Sequence, residues 1–341
     1  MKISDFNSDN EINQPMYDDL IISGMTKLLV GLGNTEQKNT DNVEIIDLSS
    51  TSTSCKNPPN FPLKLYRAFG FQEKSMICGG NDDVEYNSSD KCFSLENDQW
   101  ISSPSLNTAR AFSAVAPSPY PSKSQKFFVT GGSKNLDYSL DTAEVLTEQG
   151  WQTLATSLPD EITLHCSVPV NLTTVLLIGG RHNYSRSPNT FFFNTERETW
   201  TQGPPLESER IHHSCGRIRK NSQSRELSII VAGGYDGSVK VPNGWDGSTL
   251  SSVQILDQGA TEWRKGPELP IKIDDAQMVE DKDGGVILVG GKSDFIDFLD
   301  TLYYLPHAGE DAEWTEMKQK MKVGRKGHVA FLLNDNVVDC S

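Results

Sequence analysis

Five times along the chain a short aliphatic run ends in two glycines. Polar residues, a second apolar stretch and a tryptophan then follow. The runs close at Gly79-Gly80, Gly131-Gly132, Gly179-Gly180, Gly233-Gly234 and Gly290-Gly291, and the tryptophans are Trp100, Trp151, Trp200, Trp263 and Trp314. The second glycines stand at 80, 132, 180, 234 and 291, in steps of 52, 48, 54 and 57. From each to its tryptophan the offset is 20, 19, 20, 29 and 23 residues. The apolar runs are far too short to span a membrane and stop at glycine, so they predict buried strands. A glycine pair at a strand end permits positive φ and close backbone approach. A tryptophan in every unit supplies the area to join one sheet to the next. A period near 50 predicts an array of repeats forming one domain.

A sixth, degraded unit opens the chain. Lys27-Leu28-Leu29-Val30-Gly31-Leu32-Gly33 takes the place of the aliphatic run, and Val43-Glu44-Ile45-Ile46-Asp47 that of the next strand, with no tryptophan after it. At the other end, Gly327-His328-Val329-Ala330-Phe331-Leu332 looks like the first strand of a unit with little behind it. The two partial units predict closure: the last strand completes the sheet that the first residues begin, hiding two edges.

The order of run, Gly-Gly, polar loop, strand and Trp resembles the kelch repeat, whose period is about 50 residues. The resemblance covers residues 26–333. It implies an all-β fold, a six-bladed kelch-type β-propeller closed by the C-terminal strand. Residues 1–25 are expected to form a disordered tail, and 334–341 a C-terminal tail. Kelch proteins that serve ubiquitin ligases carry a BTB and BACK region ahead of the repeats, for which there is no room before residue 26.

Charge narrows the partners. The chain has 31 basic and 46 acidic residues, a net charge of −15. Such an acidic protein lacks the clustered Lys and Arg of a nucleic-acid or anionic-membrane surface. No signal peptide is visible in the polar first residues, which points to the cytosol; an incomplete start would reverse that. The six cysteines show no zinc spacing. Cys78 ends one strand and Cys92 lies in the next, a placement that allows a disulfide. Cys55 stands where the first unit lacks its Trp, and closure would bring Cys340 to it. Two linked readings follow: thiols and a cytosolic protein, or disulfides and secretion. Three glycosylation sequons begin at Asn87, Asn171 and Asn183.

Candidate chemistry is sparse. His165, His213 and His328 recur at the start of first strands, which marks a repeat feature rather than a ligand set. His212 and His213 are neighbours on a strand and face opposite ways. No nucleophile elbow, phosphate loop or catalytic carboxylate pair is legible, so no enzyme, metal or cofactor is expected. Strand alternation puts the loops after the glycine pairs and those before the first strands on one face. There the sequence offers Tyr86, Tyr138, Tyr184, Tyr235 and Phe295, with Arg67, Arg110, Arg210 and Arg325. Trp245, in the longest of these loops, is the leading candidate. Arginine and aromatic residues dominate protein hot spots. The expected role is a non-enzymatic scaffold binding a protein or peptide; the alternative is a carbohydrate-binding or copper-radical oxidase-like propeller.

Overall fold

The computed structural model describes residues 26–50, 55–82, 87–117, 127–135, 138–171, 173–182, 185–236, 240–241, 244–245, 247–333 and 337. The expected tail 1–25 lies outside them. The described residues are all-β, with no α-helix among them.

The strands form many small antiparallel sheets; six principal ones, five of four strands and one of three, succeed one another along the chain. The first is Val329–Leu333, Lys27–Gly31 and Val43–Asp47, with Leu29 in register with both Phe331 and Ile45. The second runs Phe69–Phe71, Met76–Cys78, Cys92–Glu96 and Gln99–Ser103. The third begins at Ala114–Pro117, the fourth at Cys166–Asn171, the fifth at Ser214–Arg219 and the sixth at Gln277–Glu280. In each of the five repeats with a glycine pair, the aliphatic run is the second strand and lies between two others. That position explains why both of its faces are apolar.

Apolar clusters lie between sheets. Phe71 and Met76 of the second sheet pack with Phe127 and Val129 of the third. Similar clusters join third to fourth, fourth to fifth and fifth to sixth. Leu28 and Val30 of the first sheet pack with Ile287 and Val289 of the sixth, and Leu29 and Ile45 with Ile77 of the second. Val337 also packs on that last group, so the chain makes core contacts beyond Leu333.

The tryptophans sit in these seams. The indole N–H of Trp100 donates to the Pro59 carbonyl (2.9 Å), that of Trp263 to Pro204 (2.8 Å) and that of Trp314 to Pro267 (2.9 Å). In each case the carbonyl precedes the tryptophan's own sheet. Trp151 is buried, with its ring 5.6 Å from that of Phe71 in the sheet before.

The glycine pairs have a specific task. The second glycine donates its N–H to a carbonyl at the start of the next sheet: Gly80 to Arg110 (2.9 Å), Gly132 to Ile162 (2.8 Å), Gly180 to Arg210 (2.9 Å) and Gly234 to Ile273 (2.9 Å). Gly33 donates to Leu65 and Gly291 to Arg325, both at 2.9 Å, and Arg325 leads into the strand that completes the first sheet. At Gly131 and Gly233, φ is +56° and +63°, and an added Cβ would lie 2.2 Å from the carbonyl oxygen of Ile162 or Ile273. Only glycine fits there.

Candidate functional site

A second set of backbone bonds runs among the residues just before the first strands. Arg67, Phe112, Leu164, His212, Asp275 and Gly327 occupy equivalent places, and all have φ between 56° and 62°. The N–H of Arg67 donates to Gly327 O (2.8 Å), Phe112 to Arg67 O (3.4 Å) and Leu164 to Phe112 O (3.0 Å). Asp275 donates to His212 O (2.9 Å) and Gly327 to Asp275 O (3.0 Å). These five bonds link the first sheet to the second and the sixth, the second to the third, the third to the fourth and the fifth to the sixth through left-handed residues. Five of the six are not glycine, and such conformations in larger residues cluster at functional sites.

Three of these positions carry polar side chains that come together. The Arg67 guanidinium forms an ion pair with Asp275, and the Tyr66 hydroxyl donates to Asp275 Oδ2 at 2.6 Å. His212, Asp274 and Asp275 offer ligand atoms within 4.8 Å of one another. Lys292 Nζ lies 3.5 Å from Asp274 Oδ2. The Arg67 guanidinium also stands 5.5 Å from the Tyr66 ring centre and 5.8 Å from that of Phe112. Asp274 and Asp275 are buried, and Asp274 Oδ1 has no hydrogen-bond partner among the described residues.

The environment separates the two carboxyls. Burial, with the neighbouring Asp275 charge, pushes Asp274 up to about 6. Burial also pushes Asp275 upward, but Arg67, His212 and the Tyr66 hydroxyl outweigh it and hold that carboxyl below its usual value. Burial and the adjacent Arg67 press His212 down to about 3. Burial and Asp275 raise the Tyr66 phenol. Three ligand atoms at this spacing could geometrically hold a cation. Arg67 on Asp275 and Lys292 on Asp274 already balance the carboxylates, so the donor set does not favour one.

The expected arginines divide. Arg110, Arg210 and Arg325 are fully buried and correct the expectation that they face a partner. Arg110 donates to Gly131 O (2.8 Å) and pairs with Glu144 Oε1 at 2.6 Å. Arg325 reaches Leu32 O (3.3 Å) and Asn42 O (3.2 Å) and pairs with Glu44 at 2.9 Å. Arg210 donates to Gly233 O (3.2 Å) and Ser252 O (3.3 Å), and burial lowers it to about 10. These long side chains satisfy carbonyls at strand ends. Arg67 alone of the four stands among the left-handed residues, two places later in its unit.

The aromatic residues do not share one position either. Tyr138 and Phe295 are 65% and 96% exposed, so they are available to a partner. Tyr235 follows its glycine pair directly and is half-buried; its hydroxyl donates to Gly247 O (3.1 Å), and Arg186 lies 5.2 Å from its ring centre. Tyr86 and Tyr184 lie outside the described residues. The Trp245 backbone pairs with Lys240, but its side chain lies outside what is described. Ile296, next to Phe295 in the chain, is 51% exposed, and Val323 is 48% exposed. Phe298 and Val323 line a cleft of about 430 Å³ with Glu36, Gln37 and Lys322, between the first and sixth sheets.

Cys78 and Cys92 are joined by a disulfide, with Cα atoms 4.1 Å apart. Cys166 and Cys215 form another, not anticipated from the sequence, linking the first strands of the fourth and fifth sheets. Cys55 is also disulfide-bonded; Cys340 lies outside the described residues. His165, His213 and His328 are buried, and burial presses each to about 3. They are neutral packing groups; His213 Nε2, for one, is 3.1 Å from Ile178 O.

The sequence reading missed Tyr66, His212, Asp274, Asp275 and Lys292 as one site. The available signal was phase. Asp274-Asp275 falls where other units have Ala111-Phe112 or Thr163-Leu164, so two carboxylates replace uncharged residues there.

No family model and no curated protein matches the chain. The solved structure of YjhT is similar, with a TM-score of 0.68 at 13% identity, covering 86% of this chain and 95% of that one. At that identity the likeness is one of fold alone. No helix among the described residues is long and apolar enough to cross a membrane.

Proposed function

We propose that the chain is a six-bladed kelch-type β-propeller, closed by Val329–Leu333, that acts as a non-enzymatic module binding a protein or peptide on its loop face. The six principal sheets, the clusters between consecutive sheets and the Gly291-to-Arg325 link support the architecture. The observation that carries the binding role is Phe295, 96% exposed, in the loop leading to the Phe298-lined cleft. A large apolar side chain presented beside a cleft suits an interface centre. Capture with the purified protein tests it. A partner enriched by wild type should be lost with Phe295→Ser plus Ile296→Ser, while the melting temperature stays put. Equal enrichment by both proteins would overturn the reading.

A second reading has its own observation. The unpartnered Asp274 Oδ1, beside Tyr66, Arg67 and His212, suits a small polar ligand such as a carbohydrate. Calorimetric titration with a sugar panel, repeated on Asp274→Asn, distinguishes this reading from the first.

The disulfides support an oxidising compartment for the protein, outside the cytosol. Non-reducing peptide mapping of the native protein tests that: free thiols at Cys78 and Cys92 would overturn it.

A further inference from the structure

The loop between Met76–Cys78 and Cys92–Glu96 is tied at its base by the Cys78–Cys92 disulfide. Within it stands Asn87-Ser88-Ser89, an N-glycosylation acceptor pattern. Of the three sequon asparagines, Asn171 is half-buried, with its Oδ1 accepting the Thr173 N–H at 3.0 Å, and Asn183 lies outside the described residues. Asn87 is exposed.

The backbone from Asn87 to Ser89 is held by four hydrogen bonds. Asn87 O accepts from Asp82 N–H (3.1 Å), Ser88 N–H donates to Lys134 O (3.3 Å), Ser88 Oγ donates to Ser133 O (2.7 Å) and Ser89 N–H donates to Gly80 O (2.8 Å). These bonds hold the second sheet's loop against the third, and Asn87 is exposed there. A large group could be added there without moving any core residue.

A disulfide and an N-glycan are made in the same oxidising compartment, and here one short loop carries the requirements for both. We propose that Asn87 is an N-glycan acceptor. The co-reactant is a lipid-diphosphate oligosaccharide. The Asn87 amide nitrogen bonds to the anomeric carbon as the anomeric C–O bond breaks. The lipid diphosphate leaves with that electron pair, and the amide gives up one proton. The glycan would cover the loop face over the second and third sheets and leave the sixth sheet, with Phe295, as the open sector.

This inference rests on the oxidising compartment proposed above. The test sends the full chain through the secretory pathway of a cultured eukaryotic cell with an added leader. The secreted protein is treated with peptide-N-glycosidase in heavy-oxygen water and mapped without reduction. The expected result is heavy-oxygen aspartate at position 87. It should be lost with Asn87→Gln and Ser89→Ala and retained with Ser89→Thr, which keeps the acceptor pattern. Unmodified Asn87 beside an intact Cys78–Cys92 bond would overturn the glycan alone. Free thiols in the secreted protein would overturn the compartment reading, and the glycan with it.

Discussion

Arg67 and Arg110 are the same residue type at the same end of adjacent sheets, yet they perform different tasks. Arg110 is fully buried and spends its guanidinium on Gly131 O, Thr142 O and Glu144. Arg67 stands two places later in its unit, at a left-handed residue, and faces Asp275 and Tyr66. Asp275 comes from the sixth sheet's approach, far off in sequence. Arg110 thus joins strand ends within the repeat pattern, whereas Arg67 joins residues that break the pattern. Phase within the repeat, not residue type, separates scaffold from site.

The largest expected effect separates the buried histidines from Asp274. His165, His213 and His328 sit near 3 instead of the usual 6.5 because burial disfavours their charged form. Between those values the unfolded chain binds more protons, so stability is full above about pH 6.5 and is lost as pH falls toward 3. Asp274 works oppositely: raised from 3.8 to about 6, it favours the folded state as pH drops through that window. With His212, also held near 3, four histidines outweigh one carboxyl. Urea unfolding at several pH values should show stability falling steadily below pH 6.5. A flat profile down to pH 4.5 would mean that the histidines are not held neutral.

Arg110→Met comes next. It leaves Glu144 buried with no counter-charge, and breaking such a pair costs about 3–5 kcal/mol. Arg67→Met strands Asp275 in the same way and should cost a similar amount, about 3–5 kcal/mol, since Asp275 keeps the Tyr66 hydroxyl as Glu144 keeps the Asn107 and Thr108 N–H groups. It should also lift the Asp275 carboxyl above its usual range, read by carbon-detected NMR titration. The double variant Arg67→Met, Asp275→Asn should recover part of the loss. If Asp275 titrates unchanged without Arg67, the two are not a pair.

Arg210→Met sharpens the comparison with Arg110. The third-strand position that holds Glu144 in one sheet holds Gln254 in another, and the Gln254 side chain accepts from Glu207 N–H at 3.0 Å. No buried carboxylate is stranded by the change, so the cost should be about 1–2 kcal/mol. A loss equal to that of Arg110→Met would mean that packing, not charge, sets both values.

Much of the fold was legible because it repeats. Gly79-Gly80 and its four counterparts each mark a strand end, and the tryptophans mark seams. The pairing of Val329–Leu333 with Lys27–Gly31 follows from the two partial units. The site was not legible, because Tyr66, Arg67, His212, Asp274 and Asp275 lie in three different units and meet only through the backbone bonds that gather those units. Position before the first strands pointed to Arg67, Arg110, Arg210 and Arg325 alike, and burial removes the last three from any surface. Nor could spacing reveal Cys166–Cys215, whose members belong to strands of different sheets.

The first sheet has a consequence in time. Lys27–Gly31 is made about 300 residues before its partner strand Val329–Leu333. At ordinary translation speeds, about 5–20 residues per second, that wait is on the order of tens of seconds. Through it one edge of an apolar strand, Leu28, Leu29 and Val30, stays open to any other chain nearby. A nascent chain is therefore expected to need shelter until Val329–Leu333 is released, and ribosome-bound truncations ending before residue 329 should be held by chaperones where a chain carrying that strand is not.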